Sequence, residues 1–281
     1  MVREIQSGKI TDLVEKLCID ANCNLTGDIY QCLRSCRVAE KSELGKEILG
    51  TLIENADIAR RETAPICQDT GMTVVFVQMG QDVHITGGSL EEAINEGVRR
   101  GYEKGYLRKS VVRDPLDRVN TKDNTPAVIH YEIVPGDTFH LIVAPKGFGS
   151  ENMSQLKMLK PSQGVQGVKE VVINTVSEAG ANPCPPIIVG VGIGGTMERA
   201  AYLSKKALLR PVGEHNPKPE LAQLETELLE AINKLGIGPA GFGGSTTAMA
   251  VNVLTYATHI AGLPVAVNIG CHVTRHAEGE L

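Results

Sequence analysis

The chain contains the stretch Ala64-Pro65-Ile66-Cys67-Gln68-Asp69-Thr70-Gly71 between two regular elements. A polar-faced helical run precedes it, and an apolar strand over residues 72–77 follows it. Pro and Gly at the two ends of a short polar cluster mark a loop. A thiol, an amide, a carboxylate and a hydroxyl in four consecutive loop positions predict a functional site, because binding and catalytic residues concentrate on loops.

Two further cysteines occupy similar turns. Cys184 lies in Asn182-Pro183-Cys184-Pro185-Pro186, and Cys271 lies in Asn268-Ile269-Gly270-Cys271-His272. Three loop thiols without a fourth suit a metal centre that keeps one open position, and Cys ligation is typical of iron–sulfur clusters. The alternative is a catalytic thiol at Cys67 with a histidine as its base. The candidate bases are His130, His215, His272 and His276.

Composition and charge exclude several classes of protein. The chain has 281 residues, of which 42% are hydrophobic and 22% charged, as is typical of a globular protein with a sizeable core. Its net charge of −5 gives no electrostatic footprint for nucleic acid. No apolar run approaches the roughly 20 residues of a membrane span, and the amino terminus shows no signal-peptide pattern. We therefore expect a cytoplasmic protein without disulfides, and no membrane or nucleic-acid partner.

Residues 7–63 predict helices, because their apolar residues recur three and four positions apart. Four cysteines fall in this region, namely Cys18, Cys23, Cys32 and Cys36. Four thiolates suffice for a structural zinc site, but the paired C-x2-C knuckles of such sites are missing. Cysteines in a helix core are favoured, because free Cys is among the most buried residue types.

The rest of the chain mixes strands and helices. The capping box Ser89-Leu90-Glu91-Glu92 opens a helix to about Gly105. Residues 127–134 and 138–144 alternate apolar and polar positions around Pro135-Gly136-Asp137, which predicts a β-hairpin. The predicted fold is a mixed α/β chain, in which a helical N-terminal region packs on a sheet with antiparallel pairs. The remaining predicted elements are helices over 161–180, 196–209 and 221–235 and strands over 187–189 and 264–268.

The segment Gly190-Val191-Gly192-Ile193-Gly194-Gly195 matches the G-x-G-x-x-G pattern of dinucleotide-binding loops. That fingerprint also needs a second strand ending in an acidic residue roughly 20 positions on. Here the chain runs instead into a Pro-rich segment, residues 210–219. Tight packing of a strand against a helix is the favoured interpretation. Nicotinamide binding through Gly190, Gly192 and Gly195 is the alternative.

A carboxylate and two arginines complete the set of candidates. Asp69, beside Cys67, is either a capping carboxylate or an acid–base group. Arg108 and Arg275 are typical of solvated surfaces, but a dicarboxylate substrate would need such residues, because arginine binds carboxylates in a bidentate manner.

Several of these motifs resemble those of class I fumarate hydratases. The resemblance covers nearly the whole chain, and the same family includes L(+)-tartrate dehydratase. The matching stretches are 65–71, Lys146-Gly147-Phe148-Gly149-Ser150-Glu151-Asn152, 182–186, 190–195, Leu209-Arg210-Pro211-Val212-Gly213, Gly236-Ile237-Gly238-Pro239 and Gly270-Cys271.

This resemblance implies a cofactor. Cys67, Cys184 and Cys271 would hold a [4Fe–4S] cluster through three of its irons. The fourth iron would bind the substrate hydroxyl and one carboxylate.

The resemblance also implies substrate contacts. Gln68 and Asp69 match substrate-contacting residues, and Asp69 is the candidate catalytic residue. Arg108 matches a carboxylate-binding arginine, and Gly149, or else Gly147, would offer a backbone N–H. The chain departs from the Gly-Gly-Gly usual in the family, because a phenylalanine stands at position 148.

The implied protein is the alpha subunit of a two-subunit class I fumarate hydratase, a hydro-lyase that interconverts fumarate and L-malate. The chain ends at Leu281, soon after its third loop cysteine, so a separate fumarate hydratase beta subunit is expected. The alpha subunit would form a homodimer within a larger heteromer. Residues 1–281 would be a single catalytic domain, with a helical subregion over 1–63 and a cluster-binding α/β region over 64–281.

Three alternatives to this interpretation remain open. The first is the alpha subunit of L(+)-tartrate dehydratase, in the same family. The second, from a different class, is a nicotinamide-dependent oxidoreductase. The third is a non-catalytic assembly subunit in which the loop thiols are only core residues.

Overall fold

The computed structural model describes residues 2–281, and the chain divides into two compact units. The first unit consists of Met1–Thr26, Asn55–Phe148 and Arg275–Leu281, and the second consists of Gly27–Glu54 and Gly149–Thr274. No helix within residues 2–281 combines the length and the apolar character that crossing a membrane requires.

Helices and strands alternate along most of the chain, which confirms the predicted α/β class. The helices are α1 (Ser7–Cys23), α2 (Gly27–Ala39), α3 (Glu43–Glu62), α4 (Leu90–Lys104), α5 (Phe148–Glu151), α6 (Gly164–Ala179), α7 (Met197–Ala207) and α8 (Pro219–Asn233), with short 3₁₀ turns at Pro161–Gln163 and Pro239–Gly241. The strands are β1 (Arg3–Gln6), β2 (Met72–Gly80), β3 (Val83–Thr86), β4 (Val128–Val134), β5 (Phe139–Lys146), β6 (Gln155–Leu159), β7 (Ile187–Gly194), β8 (Ala248–Tyr256), β9 (Leu263–Gly270) and β10 (Ala277–Glu280).

In the first unit, helices pack on a four-stranded sheet of order β10-β5-β2-β4, and β1 and β3 form a separate parallel pair. The apolar stripe of α1 places Ile10, Val14 and Leu17 in the same core cluster as Val75 of β2 and Leu141 of β5. α1 also packs along α4. The prediction that a helical N-terminal region packs on a sheet with antiparallel pairs is therefore confirmed.

The predicted hairpin over residues 127–144 is wrong. Both strands form, as β4 and β5, but each pairs with β2 and not with the other. β2 is buried at five consecutive positions, from Thr73 to Val77. A strand buried in this way needs a hydrogen-bonded strand on each side and packed side chains against both of its faces. The strand β4 alternates between exposed and half-buried positions and takes the edge of the sheet.

In the second unit, helices cover both faces of a sheet of order β6-β9-β7-β8. Ile187, Val189 and Val191 of β7 share a core cluster with residues of α6 and α8. α7 packs on β7 and β9. Because successive strand side chains point to opposite faces, α7 covers the face to which Gly190 and Gly192 belong.

These glycines allow α7 to approach the sheet closely. A Cβ at Gly190 would lie 2.0 Å from the carbonyl oxygen of Ser204, and one at Gly192 would lie 2.1 Å from that of Ala200. Both glycines lie within β7 and not in a turn before the helix, where a dinucleotide fingerprint needs them. The structure therefore supports the packing interpretation of this motif.

The four helical cysteines do not form a zinc site. Cys18 and Cys23 are buried in the first unit, whereas Cys32 and Cys36 are half-buried on α2 in the second. Burial raises the pKa of the Cys18 thiol well above its usual value. Within residues 2–281, no group of three or more His, Cys, Asp or Glu side chains is placed to hold a metal ion.

Candidate functional site

The loop that carries Cys67 is anchored by the residue before it. The Ile66 side chain is buried, its N–H donates to the carbonyl of Asn22 (3.0 Å), and its carbonyl accepts from Asn55 Nδ2 (2.8 Å). This anchor leaves Cys67 half-buried and Gln68 exposed. The thiol of Cys67 donates to Gln68 Oε1 at 3.4 Å, and an amide cannot act as its general base. That contact does not support a catalytic thiol.

Asp69 connects the Cys67 loop to the glycine-rich segment, residues 146–152. Its Oδ1 accepts from the N–H of Gly71 (3.0 Å), and its Oδ2 accepts from the N–H of Phe148 (2.9 Å). Its backbone carbonyl accepts from Nη2 of Arg275. A Cβ at Gly147 would lie only 3.2 Å from Asp69 Oδ2, so a larger residue there would crowd the carboxylate.

The end of the same loop is held by α4 and by the segment that follows it. The Tyr102 hydroxyl, fully buried, donates to the carbonyl of Thr70 at 2.7 Å. The Thr70 hydroxyl donates to the carbonyl of Arg108 at 3.0 Å, while the Arg108 side chain is exposed. The first unit thus brings together Gln68, Asp69 and Arg108, three of the residues predicted to contact substrate.

The structure corrects the sequence-based view of Arg275 as a solvated residue. Arg275 is 4% exposed, and its guanidinium lies against the backbone of Asp69. Its Nε has no hydrogen-bond partner within residues 2–281. The sequence held one indication that Arg275 is not a surface residue, namely its position four residues after Cys271. Residues next to a ligand motif often hydrogen-bond to the site and orient its side chains.

The second unit holds the turns of Cys184 and Cys271 side by side. The backbone N–H of His272 donates to the carbonyl of Cys184 (3.3 Å), and its ring Nδ1–H donates to the same carbonyl (2.9 Å). The Cys271 carbonyl accepts from the N–H (2.9 Å) and the hydroxyl (2.7 Å) of Thr274. Two of the three predicted ligands, Cys184 and Cys271, therefore lie on turns that are hydrogen-bonded to each other.

Gly149 lies beside the Cys184 turn. A Cβ at Gly149 would come within 3.6 Å of the Asn182 carbonyl, which is ordinary contact. Gly149 is exposed at the start of the second unit, in the short helix α5. Its neighbour Ser150 is buried, and residues 148–151 form one helical turn.

Comparison with known proteins decides the family. The family model described as fumarate hydratase (Fumerase) matches residues 11–280. The chain belongs to the fumarate hydratase family. The resemblance read from the motifs is thereby confirmed, and the chain falls among the hydro-lyases of this family.

The similarity of this chain to other members of the fumarate hydratase family covers almost its full length. A protein of Methanocaldococcus jannaschii named "Putative L(+)-tartrate dehydratase subunit alpha" is 44% identical over 275 residues, which are 96% of each chain. The L(+)-tartrate dehydratase subunit alpha of Escherichia coli K12 is 35% identical over 271 residues, 95% of this chain and 89% of the relative. The subunit of that name from Shigella sonnei shows the same identity and coverage.

The thiols of this family member fit the iron–sulfur cluster that the resemblance implies. Cys67 and Cys271 are half-buried and Cys184 is exposed, in contrast to the buried Cys18 and Cys23. No disulfide engages any of these residues in the part of the chain that the structure describes. In a cluster each cysteine binds a different iron, so three thiols need not converge on one point as they would around a single ion. Accessible thiols outside any disulfide are the ligands that such a cluster requires.

Proposed function

We propose that this chain is the alpha subunit of a hydro-lyase that interconverts fumarate and L-malate, with a [4Fe–4S] cluster bound by Cys67, Cys184 and Cys271. One observation supports this most strongly. The loop that carries Gln68 and Asp69 is hydrogen-bonded both to Phe148 of the glycine-rich segment and to the backbone of Arg108. Gln68, Asp69 and Arg108, which the resemblance matches to substrate contacts, are thus neighbours in the first unit although Arg108 is far from the other two in sequence.

Dehydration of malate requires loss of a poor leaving group and removal of a proton from carbon. When bound, the cluster supplies a Lewis-acid iron for the substrate hydroxyl and one carboxylate. The exposed guanidinium of Arg108 is suited to pair with the other carboxylate. The amide of Gln68 and the backbone N–H of Gly149 supply further donors near the substrate.

Asp69 is the proposed acid–base residue of this chain. Each of its oxygens accepts one backbone hydrogen bond. A carboxylate has about four lone-pair sites, so capacity remains on both oxygens to accept a proton or to orient a base. The backbone bonds fix the direction of the carboxylate, which proton transfer at a defined distance requires.

We further propose that a beta subunit, as a separate chain, completes the enzyme, and that the alpha subunit forms a homodimer within the heteromer. The relatives named as alpha subunits support a two-subunit enzyme. The chain alone should then be inactive even when it is loaded with cluster. Substantial malate dehydration by the pure single chain would contradict the alpha-subunit assignment.

The second candidate function is L(+)-tartrate dehydration, which the names of the relatives favour. The two reactions share the leaving hydroxyl and the two carboxylates, but tartrate carries a second hydroxyl. The test is to measure kcat/KM for L-malate and for L(+)-tartrate with the anaerobic enzyme and its beta subunit. We expect the larger value for L-malate, and a larger value for L(+)-tartrate would assign the second function instead.

A further inference from the structure

Two thiols face each other on α2, outside the candidate site. Cys32 and Cys36 are four residues apart, so they share one face of the helix. Their Sγ atoms are 3.9 Å apart. Both side chains are only half-buried, so small solutes can reach them, whereas Leu33 between them is fully buried.

A disulfide is a poor use of this pair. Disulfides need Cβ atoms about 3.5–4.5 Å apart, whereas positions i and i+4 of a regular helix hold them about 5–6 Å apart. Direct bonding would therefore distort the middle of α2. The helix instead places the two sulfurs where both can bond to one atom between them.

The distance between the sulfurs suits a bridging metal ion. Sulfurs 3.9 Å apart are closer together than the span of two metal–sulfur bonds of about 2.3 Å each, so both can bond to one ion placed between them. Paired ligands at positions i and i+4 are also the way in which the H-E-x-x-H helix presents two histidines to zinc. An ion can therefore bridge Cys32 and Cys36 without movement of the backbone.

We propose that Cys32 and Cys36 form a two-thiolate site for a soft metal ion, and that Cu(I) is the ion it suits best. Thiolates select soft ions, and Cu(I) is satisfied by few of them. Structural zinc needs four ligands, and residues 2–281 place no group of three His, Cys, Asp or Glu side chains around a common point. On binding, each thiol releases its proton to water, two copper–sulfur bonds form, and copper keeps its oxidation state.

Titration of the full chain with Cu(I) against a chromogenic Cu(I) chelator, without oxygen, tests this site. Because one ion needs both sulfurs, Cys32→Ser, Cys36→Ser and the double variant should each lose the same one equivalent of chelator-resistant copper. The loss should persist when Cys67 is also replaced by serine. Unchanged stoichiometry in Cys32→Ser, or a double variant that loses more than either single one, would overturn the proposal. Circular dichroism checks that each variant is folded.

A second measurement uses the wild-type chain alone. Phenylarsine oxide condenses with two neighbouring thiols, forming two arsenic–sulfur bonds and releasing water, while arsenic stays trivalent. Trypsin cleaves after Arg34 and Arg37, so an arsenic bridge would join the peptide ending at Arg34 to Ser35-Cys36-Arg37. That first peptide also carries Cys18 and Cys23, but both are buried, whereas Cys32 is accessible. We expect this joined pair by mass spectrometry after labelling of the folded chain. Its absence, with both peptides recovered separately, would contradict the proposed pairing.

Discussion

Asp69 has two roles that a substitution can separate. Its carboxylate accepts the N–H groups of Gly71 and Phe148 and so fixes two loops, and it is also the proposed acid–base residue. An asparagine keeps one oxygen acceptor and the size of the side chain but cannot take up a proton. Loss of the loop contacts would lower stability, whereas loss of proton transfer would lower turnover alone.

Asp69→Asn should lower kcat of the assembled enzyme by about 10²–10⁴-fold, the usual contribution of general acid–base catalysis. Iron content should change little, and the midpoint of thermal unfolding should fall only modestly, because the asparagine amide can accept only one of the two backbone N–H groups. The matched control is Asp117→Asn, because Asp117 is exposed and forms an ion pair with the exposed Arg113 four residues away. Near-normal turnover of Asp69→Asn with intact cluster would rule out an acid–base role.

At the scale of elements, the sequence predicted segments with strong periodicity and missed pairings that depend on distant residues. The helices α1, α3 and α4 lie where apolar spacing and the Ser89 cap predicted them. The strands β1 and β10 were not predicted, because each has four residues and forms by pairing with a strand far along the chain. For the same reason, alternation located β4 and β5 but did not show that β2 lies between them.

The glycine motif of β7 gives a prediction at this scale. Gly192→Ala should destabilise the protein by several kcal/mol, because the new Cβ would lie 2.1 Å from the Ala200 carbonyl oxygen and 2.6 Å from the Ser204 nitrogen. The control is Gly8→Ala, since Gly8 lies in α1 with open space around it and alanine favours helix by about 0.5–1 kcal/mol. Denaturant unfolding measures both. Equal stability of the two variants would refute the close-packing role of Gly192.

At the scale of the whole molecule, the predicted site residues fall in both compact units. Cys67, Asp69 and Arg108 belong to the first, and Cys184 and Cys271 to the second. The motifs supplied the candidate residues, but not the hydrogen bonds between the Cys184 and Cys271 turns or the burial of Arg275. Such contacts join residues far apart in sequence, and no local pattern encodes them.

Glu40 holds together two segments of the second unit that are 205 residues apart in sequence. Its side chain is buried, and its Oε1 accepts from the N–H groups of Ser42 (2.9 Å) and Ser245 (2.8 Å). Burial alone would raise the pKa of this carboxyl. The hydrogen bonds from Ser245, Ser42 and Thr246 outweigh burial and lower the pKa to about 2.

This shift makes the contribution of Glu40 dependent on pH. Its pKa falls from 4.5 in the unfolded chain to about 2 in the folded one, so its stabilising effect is complete above about pH 5 and is lost as the pH falls toward 2. Glu40→Gln should cost about 3 kcal/mol of unfolding free energy at pH 7 and less than half of that at pH 3. The exposed Glu47, changed to Gln, is the control and should have little effect at either pH. A cost for Glu40→Gln that is the same at both pH values would contradict this account.

Iron and sulfide content, with an ultraviolet–visible spectrum, tests the proposed cluster centre most directly. The protein is reconstituted without oxygen as wild type, as Cys67→Ala and, for a control thiol outside the proposed ligand set, as Cys32→Ser. We predict about four irons per chain in the wild type and in Cys32→Ser, and a sharp loss in Cys67→Ala. Folded wild-type protein without iron, or equal iron in wild type and Cys67→Ala, would contradict the assignment of Cys67 as a cluster ligand.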